Sequence, residues 1–404
     1  FNYLNANTAM KVDLANPLEP DDTIEVRMIW RLEYPTWSNS SRVYALYGRS
    51  QEMISLPLFY PSLAVFEDGP MEGTGDWWRD EGVVRGDAAY NVTSLFAVTA
   101  TMPADQVPVT GGTLITSTLL PDGRRQHVWV AGPSREFVLH TSTEFESAET
   151  ETEGTRITSY WLPGEEAGGR AALRHTAAAL RVYNERFGDY PFRDLRVAPA
   201  PINYRGMEYP QVSLMGVELY NVELWELEPL VAHEVAHQWW YQMVHNDPIE
   251  SPWLDEAVSE FSMKLYIQDM YGDTQAGYLQ NDRWEEPLEI LQGLGDDAPV
   301  DQAVPNFGTG QYETLVYGKG ALFYDALYDR LGDRRFNNFL RDYLENHRFQ
   351  IVDEAEWLAD LEALDDPTLI NLYQDWILSP EVKPSEVEVP EEADGEASST
   401  VDSE

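Results

Sequence analysis

The amino-acid sequence predicts a multidomain α+β fold, with an N-terminal antiparallel β-domain in residues 1–150 and an α+β domain in residues 155–380. A chain of 404 residues has room for two such domains, each with its own core. The first part shows strand patterns, such as the polar–apolar alternation of residues 23–30, and little helical periodicity. The second part opens with an Ala- and Leu-rich stretch at helical spacing, residues 170–187, and then mixes both patterns.

Two more strands are predicted in the first part, at residues 127–130 and 137–140, because both runs are rich in β-branched or aromatic residues. Gly132 and Pro133 stand between them, so we expect a turn there. The stretch 146–154 that follows is polar and acidic, and its composition predicts the junction between the two domains. A sandwich or saddle of antiparallel strands fits this part of the chain best.

In the second part, Gly188 ends the first predicted helix, and short apolar strands are expected at residues 195–198 and 212–215. Predicted helices follow up to about residue 378. Beyond it the chain is rich in Pro, Glu, Asp and Ser and has almost no apolar residues. We therefore predict an acidic, disordered tail in residues 381–404.

The composition excludes several kinds of partner. With 27 basic and 70 acidic residues, the formal net charge is −43, and no basic stripe is available to neutralise phosphates. Nucleic acid and anionic membranes are therefore poor partners, whereas a cationic ligand such as a free amino terminus would be attracted. Adaptation to salt or to an extracellular medium would explain the same charge. No apolar run approaches the roughly 20 residues that span a bilayer, so we expect no transmembrane segment.

The chain contains no cysteine, so any metal site must be built from His, Asp and Glu. The sequence starts with Phe1 and shows no signal-peptide pattern, from which we expect that the original N-terminus has been removed. This start and the acidic surface favour a location in the cell envelope or the medium, with the cytoplasm as the alternative. The oligomeric state is unknown from the sequence.

Residues 233–237 read His-Glu-Val-Ala-His, the HExxH pattern, with apolar flanks at helical spacing. Pro229 suits the first turn of such a helix. On a helix, His233 and His237 lie one above the other on the same face, so both imidazoles can reach one ion. Glu234 is rotated by about a third of a turn, so it can stand beside a metal-bound water instead of binding the metal. A pattern of five residues also arises by chance, and the two histidines would then only pack or cap.

A third ligand is available at Glu256. Ser251 and Pro252 are typical of a helix start, and the second helix would carry Glu256 early and run to about residue 269. The 18 residues between His237 and Glu256 allow the chain to reverse, so that the second helix crosses the first. Two His and one Glu leave the fourth position of a tetrahedral zinc ion open, as in catalytic zinc sites. We therefore predict one zinc ion held by this glutamate and the two histidines.

Other candidate ligands fail on geometry. His245 would lie two helical turns, about 12 Å, further along the first helix than the HExxH motif. Asp255 points about 100° away from the neighbouring glutamate. The zincin signature with a third His needs Gly and His where this chain has Trp240 and Met243. Glu260 lies one turn further along the second helix, on the face that carries the metal ligand, and is a candidate to support a ligand from behind.

Three motifs together resemble a known family. Residues 233–260, with HExxH, 18 intervening residues and the segment Trp-Leu-Asp-Glu-Ala at 253–257, resemble the M1 family of zinc aminopeptidases. Residues 206–209, Gly-Met-Glu-Tyr, are similar to that family's GxMEN exopeptidase motif, which also lies just upstream of HExxH. Residues 317–320, Tyr-Gly-Lys-Gly, are similar to its YxKG segment downstream. Three motifs in this order are far more specific than any one of them.

The chain also departs from the family pattern. Arg205 stands where the GxMEN motif begins with Gly, Tyr209 replaces its final Asn, and the usual Asn-Glu-Gly around the third ligand reads Asp-Glu-Ala at 255–257. The glutamates themselves are kept. Family members usually have a longer β-domain and a large helical domain after the catalytic one. We therefore expect a chain that is trimmed at its N-terminus and lacks the C-terminal helical domain.

The resemblance implies a thermolysin-like α+β catalytic domain that removes N-terminal residues from peptides with a free N-terminus. Glu234 would serve as general base and acid, and Tyr317 would stabilise the oxyanion through a hydrogen bond. Glu208 would bind the free α-ammonium group of the substrate. Gly206 would let the substrate backbone approach closely, and Met207 belongs to the same substrate-binding motif.

Two other functions are open at this point. The same zinc site would also suit another electrophile, such as the epoxide that some relatives of this fold hydrolyse. In the second alternative, the chain is a catalytically inactive M1-like scaffold or binding protein. Retention of Glu234 and of all three ligands argues against the scaffold. The preferred N-terminal residue, and strict exopeptidase as opposed to endopeptidase action, depend on a pocket assembled from distant segments.

Overall fold

The computed structural model describes residues 1–4, 8–19, 21–36, 47–50, 52–67, 69, 74–79, 85–87, 89–202, 204–221 and 224–380. The tail predicted at 381–404 lies outside the described residues. No helix within the described ranges is long and apolar enough to cross a membrane.

The N-terminal part is built from antiparallel strands, as the sequence predicts. Its strands are β1 (Asn2–Leu4), β2 (Ala9–Lys11), β3 (Gly48–Ser50), β4 (Met53–Leu56), β5 (Phe66–Glu67), β6 (Asp76–Trp77), β7 (Ser94–Pro103), β8 (Val107–Thr110), β9 (Thr113–Leu119), β10 (Arg124–Ser134) and β11 (Leu139–Ser142). The larger sheets have the strand orders β7–β10–β9 and β3–β4–β11–β8. The remaining strands form the hairpin-like pairs β1–β2 and β5–β6. Trp129 and Phe137 belong to a small apolar core against which apolar side chains of β7 pack.

Two local predictions in this part are wrong. Residues 23–30 form no strand, and their apolar side chains are exposed, because no described strand pairs with them and an isolated strand has nothing to bury its apolar face. Gly132 and Pro133 lie inside β10 and not in a turn. The pairing of β10 with β7 shifts its register between Ala131 and Ser134. Proline, which has no N–H group, is therefore accommodated at an irregularity of the ladder.

The second part contains a five-stranded mixed sheet of order β12–β13–β14–β16–β15. Its strands are β12 (Glu146–Thr152), β13 (Thr155–Trp161), β14 (Asp194–Ala200), β15 (Gly206–Met207) and β16 (Val212–Gly216). β13, β14 and β16 are parallel, whereas the two edge strands are antiparallel to their neighbours. β14 and β16 are buried along their whole length, as expected of strands covered on both faces. The strands predicted at 195–198 and 212–215 are confirmed.

The acidic stretch 146–154, predicted as the junction between the domains, is instead a β-hairpin. β12 pairs with β13 from Glu146 opposite Trp161 to Thr152 opposite Thr155. Most of its residues are exposed because β12 is an edge strand, and charged side chains are common on such edges. The sheet of the second part therefore begins before residue 150, where the composition indicated a boundary.

Helices make up most of the rest of the second part, and α1 and α2 pack against this sheet. They are α1 (Glu166–Phe187), α2 (Leu224–Ala236), α3 (Trp253–Tyr271), α4 (Asp273–Gln280), α5 (Glu286–Leu294), α6 (Gly320–Leu331), α7 (Asp333–His347), α8 (Glu354–Glu362) and α9 (Pro367–Tyr373). Shorter 3-10 turns lie at Val217–Tyr220 and Val304–Asn306, and π-helical segments lie at Asn281–Glu285, Glu313–Lys319 and Gln374–Leu378. Gly188 ends α1 as predicted. One large apolar core joins α1, α2 and α3, with Trp239, Trp240 and Trp253 fully buried within it.

The two helices that carry the predicted ligands differ from the expectation at their ends. α2 begins at Leu224, so Pro229 lies inside the helix and not in its first turn. α2 ends at Ala236, and His237 follows in a turn. His245 consequently lies in a short strand, β17 (Val244–His245), which pairs with β18 (Gln350–Ile351), and not two turns further along the helix. The second helix, α3, starts at Trp253, one residue after the predicted start, with Pro252 in place of Ser251 as its N-cap residue.

Candidate metal centre

Three buried side chains from α2, the turn after it and α3 converge on one point. Nε2 of His233 lies 3.1 Å from Nε2 of His237. Both nitrogens lie 3.3 Å from Oε2 of Glu256. The structure therefore brings together the three residues that the sequence singled out as metal ligands.

The arrangement fits a zinc ion. Two ligand atoms bound to zinc at tetrahedral angles are about 3.3–3.4 Å apart, close to the separations found here. Nδ1 of His237 lies 2.9 Å from the carbonyl oxygen of Trp240. A carbonyl only accepts, so Nδ1 carries the proton and Nε2 offers its lone pair to the metal. Oε2 of Glu256, although buried, accepts no hydrogen bond from the described residues, which leaves it available as a ligand.

Glu260 supports the first ligand from behind, as expected from its place on α3. Its Oε2 lies 3.0 Å from Nδ1 of His233. Its Oε1 accepts hydrogen bonds from Nε of Arg283 at 2.8 Å and from Nε1 of Trp284 at 2.9 Å. Burial alone would raise the pKa of Glu260, but Arg283 and His233 outweigh it and hold the pKa well below its usual range. Glu260 is thus an anion that orients His233 and strengthens it as a ligand.

Glu234, the predicted base, is buried and lies against the α-carbon of Gly206. A β-carbon at residue 206 would stand 1.8 Å from Oε1 of Glu234. Only glycine fits there, because the carboxylate occupies the space that a side chain would need. From the sequence, we expected a glycine here to let the substrate backbone approach closely. In the structure it is the side chain of Glu234 that lies close to Gly206.

Burial raises the pKa of Glu234 to about 8, and the neighbouring His233 acts in the opposite direction. A divalent cation at the adjacent ligands would favour the ionised form and lower this pKa. The protonation of Glu234 therefore depends on its surroundings: burial favours the neutral acid, and a cation at the ligands would favour the carboxylate. Such a carboxylate is suited to proton transfer near neutral pH.

Glu208 follows β15 and is buried, with Asp87 as its hydrogen-bond partner. Burial raises the pKa of Asp87 to about 6, and the pKa of Glu208 well above its usual range. The two carboxyl groups therefore share a proton and form an acidic pair next to the metal ligands. Sequence reasoning missed Asp87, since no motif surrounds it and it comes from the N-terminal part of the chain.

The loop that carries Asp87 is fixed to the second part of the chain. Nη1 of Arg85 donates to the carbonyl oxygen of Gly308 at 3.2 Å. Gly86 has φ +75°, and a β-carbon there would meet the hydroxyl of Tyr312 at 3.2 Å and Val304 at 3.3 Å. The close packing places the acidic pair across the boundary between the two parts of the molecule.

Tyr317 lies in the π-helical segment Glu313–Lys319 and donates a hydrogen bond of 2.5 Å to Oε1 of Glu256. Its ring centroid lies 5.9 Å from that of His233. The phenol is thus at the candidate metal site, where it binds Oε1 of Glu256, the carboxylate oxygen that does not face the two histidines. Met207 of the GxMEN-like motif is buried in the neighbouring core, with its backbone paired to Leu214 of β16.

Fold and site together have the arrangement of a metal centre in which two histidines of an HExxH motif and a glutamate of the next helix are the ligands. A peptidase family M1 domain matches residues 171–376, half of the chain. The chain belongs to this family.

Individual relatives match over 41% to 56% of the chain. Leukotriene A-4 hydrolase of Xenopus laevis is 25% identical over 169 residues, 41% of this chain and 28% of that protein. Aminopeptidase M1 of Arabidopsis thaliana is 24% identical over 237 residues, 56% of this chain and 27% of that protein. The match thus covers little more than a quarter of either relative.

Solved structures agree on the fold. The crystal structure of an M1 zinc metallopeptidase from Deinococcus radiodurans superimposes with a TM-score of 0.60. The superposition covers 72% of this chain and 65% of that one, at 21% sequence identity. A two-domain M1 zinc metallopeptidase bound to L-tryptophan also superimposes with a TM-score of 0.60, and that superposition likewise covers 72% of this chain. An N-terminal β part followed by an α+β catalytic part is therefore the shared architecture.

Proposed function

We propose that this protein is a zinc-dependent aminopeptidase that hydrolyses the N-terminal residue from peptides. The observation that carries the proposal is that two acidic groups with different roles, Glu234 and Glu208, lie beside the three candidate metal ligands. The ligand atoms of His233, His237 and Glu256 lie within 4.8 Å of one another. Glu234 stands beside them as a base, and Glu208 with its acidic partner lies nearby as a site for a cation.

A single zinc ion would be held by the two histidines and Glu256. When bound there, zinc polarises a carbonyl group and makes water more acidic. The remaining steps depend on side chains of the protein. Glu260 keeps His233 in place, and the hydroxyl of Ser259, 3.2 Å from Nδ1 of His237, packs beside the other imidazole.

Glu234 serves as the general base and then as the general acid. Its carboxylate takes a proton from the attacking water and delivers it to the nitrogen of the departing peptide. Gly206 has no side chain, so the carboxylate of Glu234 can occupy this position. Because Glu234 is buried, the proton is transferred between substrate and protein with little competition from bulk water.

Glu208 and Asp87 form the site for the free α-ammonium group of the substrate. A buried pair of carboxyl groups that shares one proton has a net charge of about −1, which an ammonium group neutralises through charge-assisted hydrogen bonds. A peptide with a blocked N-terminus has no such charge and leaves the pair without a partner. The acidic pair therefore favours exopeptidase action.

β15 lies at the edge of its sheet, directly beside Glu234. Strands at a sheet edge present backbone groups with which an extended peptide can pair. A substrate that adds to this edge would place its amino terminus towards Glu208. Tyr317 would then offer its hydroxyl, now donated to Glu256, to the negative charge that develops on the substrate oxygen.

A substrate panel tests the proposal. We expect the zinc-loaded protein to cleave aminoacyl-anilides and free-amine peptides, and to leave their N-acetylated forms intact. Phenanthroline is expected to abolish turnover, and added zinc to restore it. The variant Glu234→Gln is expected to retain zinc and lose at least a hundredfold in kcat, because it cannot accept the proton.

Glu345→Gln is the matched control. The side chain of Glu345 is 77% exposed on α7, and the substitution removes the same charge as Glu234→Gln. It should keep the activity of the parent protein. Bound zinc without turnover of any free-amine substrate would identify an inactive scaffold. Equal cleavage of blocked and free peptides would identify an endopeptidase and contradict the role of Glu208.

A further inference from the structure

We infer that Glu136, in the N-terminal part of the chain, is a positioning residue for the metal ligand His237. It acts through the side chain of Tyr241 and the carbonyl group of Trp240. The inference rests on the proposed zinc site and adds to it a residue that works through two others. Three successive contacts support it, described here from the ligand outwards.

The first contact sets the tautomer of His237. Its Nδ1 lies 2.9 Å from the carbonyl oxygen of Trp240 and 3.2 Å from Oγ of Ser259. A hydroxyl group can donate or accept, so Ser259 suits either tautomer. A carbonyl oxygen only accepts, so Trp240 selects the tautomer with a proton on Nδ1 and a free lone pair on Nε2. The position of this oxygen therefore decides how well His237 presents Nε2 to a metal.

The second and third contacts hold the peptide unit to which this oxygen belongs. The unit is planar and runs from the α-carbon of Trp240 to that of Tyr241, and both side chains are buried. Nε1 of Trp240 donates to Oγ of Ser262 on α3 at 3.1 Å. The hydroxyl of Tyr241 donates to Oε1 of Glu136 at 2.5 Å. Each end of the peptide unit is thus anchored by a side chain to a different segment of the molecule.

The backbone hydrogen bonds of the turn belong to the neighbouring peptide units. The N–H of Trp240 donates to the carbonyl oxygen of Ala236 at 3.1 Å, and the N–H of Gln242 donates to that of His237 at 3.0 Å. The unit between them is located by its two α-carbons. Loss of the anchor on Tyr241 would free one of these α-carbons and let the carbonyl oxygen move relative to the imidazole.

The segment around Glu136 makes further contacts with the same turn. Nε2 of Gln242 donates to the carbonyl oxygen of Pro133 at 3.0 Å, and its Oε1 accepts from the N–H of Arg135 at 3.4 Å. Nη2 of Arg135 donates to the carbonyl oxygen of Met243 at 3.4 Å. The end of β10 and the two residues after it therefore contact three consecutive residues of the turn.

Burial makes the contact between Glu136 and Tyr241 hard to replace. Glu136 is 2% exposed and Tyr241 is 0% exposed. Removal of the carboxyl group would leave the phenol without its acceptor at a place that water hardly reaches, which costs free energy. The phenol would then shift towards another partner and take its α-carbon with it.

Zinc affinity, measured by competition with a chelator of known affinity, tests the inference. Tyr241→Phe and Glu136→Ala are each expected to weaken zinc binding about tenfold, the lower end of the effect of residues that orient a ligand. Glu136→Gln should retain most of the affinity, because its amide oxygen still accepts from the phenol. The double variant Tyr241→Phe with Glu136→Ala should bind zinc as weakly as either single variant, because both changes remove the same hydrogen bond.

NMR of isotope-labelled histidine reads the proton on Nδ1 directly. In the parent protein, we expect His237 to carry this proton and to exchange it slowly with water. In Tyr241→Phe the Nδ1 signal of His237 should weaken, because its acceptor is no longer held in place. His233 is the internal reference, since its Nδ1 lies 3.0 Å from Glu260 and does not depend on the turn.

Thr113→Val is the matched control. Oγ1 of Thr113 donates to Oδ2 of Asp194 at 3.0 Å, another hydrogen bond between the N-terminal part and the second part. This bond joins β9 to β14 and not to the turn after α2. The variant should keep the zinc affinity and the His237 signal of the parent protein, even where its free energy of unfolding falls.

Failure of the inference is distinguishable from failure of the proposed function, because neither measurement needs turnover. If the parent protein cleaves aminoacyl-anilides, yet Tyr241→Phe and Glu136→Ala change only the free energy of unfolding, Glu136 has a purely structural role and the inference is overturned. If the parent protein cleaves nothing, weaker zinc binding by these variants still supports the inference. If the parent protein binds no zinc, the Nδ1 signal of His237 decides alone, and an unchanged signal in Tyr241→Phe overturns the inference.

Discussion

The carboxylate of Glu234 rests against the α-carbon of Gly206, so that a β-carbon at residue 206 would stand 1.8 Å from Oε1. Gly206→Ala is therefore expected to push this carboxylate out of place. We expect kcat to fall about a hundredfold or more, the usual size of a general-base contribution. The content of bound zinc should stay the same, because the three atoms nearest to the new methyl group all belong to Glu234 and not to a ligand.

Steady-state kinetics and metal analysis of the same preparations check this expectation. Gly277→Ala is the control, because a β-carbon at this position of α4 meets nothing within 4 Å. It should leave activity unchanged. Full activity of Gly206→Ala would show that Glu234 has room to move and that the contact does not position the base.

Glu260→Gln is expected to weaken zinc binding. The carboxylate of Glu260 lies 3.0 Å from Nδ1 of His233 and favours the tautomer that presents Nε2 to the metal. Loss of such a support typically lowers metal affinity 10- to 100-fold. Competition with a chelator of known affinity measures the change. Glu289→Gln, at an exposed position of α5, should bind zinc as the parent protein does.

Lys319→Met is expected to destabilise the fold by about 3 kcal/mol, because it leaves a buried carboxylate without its partner. Nζ of the fully buried Lys319 donates to Asp297 at 2.8 Å and to the carbonyl oxygens of Ala298 and Ser379 at 3.0 and 2.8 Å. These bonds connect the π-helical segment Glu313–Lys319, which contains Tyr317, to residues 297–298 and to Ser379. Unfolding by denaturant measures the loss.

The double variant Lys319→Met with Asp297→Asn separates charge from packing. Removing the orphaned charge should recover part of the lost stability. If the double variant is no more stable than Lys319→Met alone, the lysine acts through the two carbonyl oxygens and not through its ion pair.

His140 makes the fold less stable in mild acid. It is fully buried, with Nδ1 2.6 Å from Oγ of Ser55 and Nε2 3.0 Å from the carbonyl oxygen of Pro199. Burial lowers the pKa of His140 to about 4, with the bond to Pro199 acting weakly in the opposite direction. The unfolded chain, with a histidine pKa near 6.5, therefore binds more protons between about pH 6.5 and pH 4. Stability is present above this window and falls as the pH drops through it.

The loss from this group amounts to about 3 kcal/mol over the window. Denaturant unfolding of the parent protein and of His140→Gln at several pH values measures it. The difference in unfolding free energy between the two proteins should change in favour of His140→Gln as the pH falls from 6.5 to 4. A constant difference would show that His140 does not titrate between these values.

The helices and the ligand set could be predicted from local patterns. The first helix of the second part ends at Gly188, the strands at 195–198 and 212–215 exist, and α3 starts one residue after its predicted start. Two histidines four residues apart face the same way because the helix period is a local property of the backbone. The ends of α2 were less predictable, because the turn at His237 depends on packing of the residues beyond it.

The N-terminal strands were predicted less well, since a strand is stabilised by its neighbours and not by its own sequence. Residues 23–30 alternate correctly but have no described partner, whereas the acidic residues 146–152 form a strand because β13 pairs with them. The alternation at residues 23–30 and the composition at residues 146–154 therefore each gave a wrong prediction. Register and pairing are decided by segments that lie elsewhere in the chain.

The sequence by itself determined the class of site, because the chemistry of two imidazoles and a carboxylate at helical spacing is written in a few adjacent residues. Only the tertiary structure decided what surrounds that site. It placed Asp87 on Glu208, Glu234 against Gly206, and Tyr241 on Glu136. These contacts join segments that different elements bring together, so their existence depends on how the sheet and helices pack.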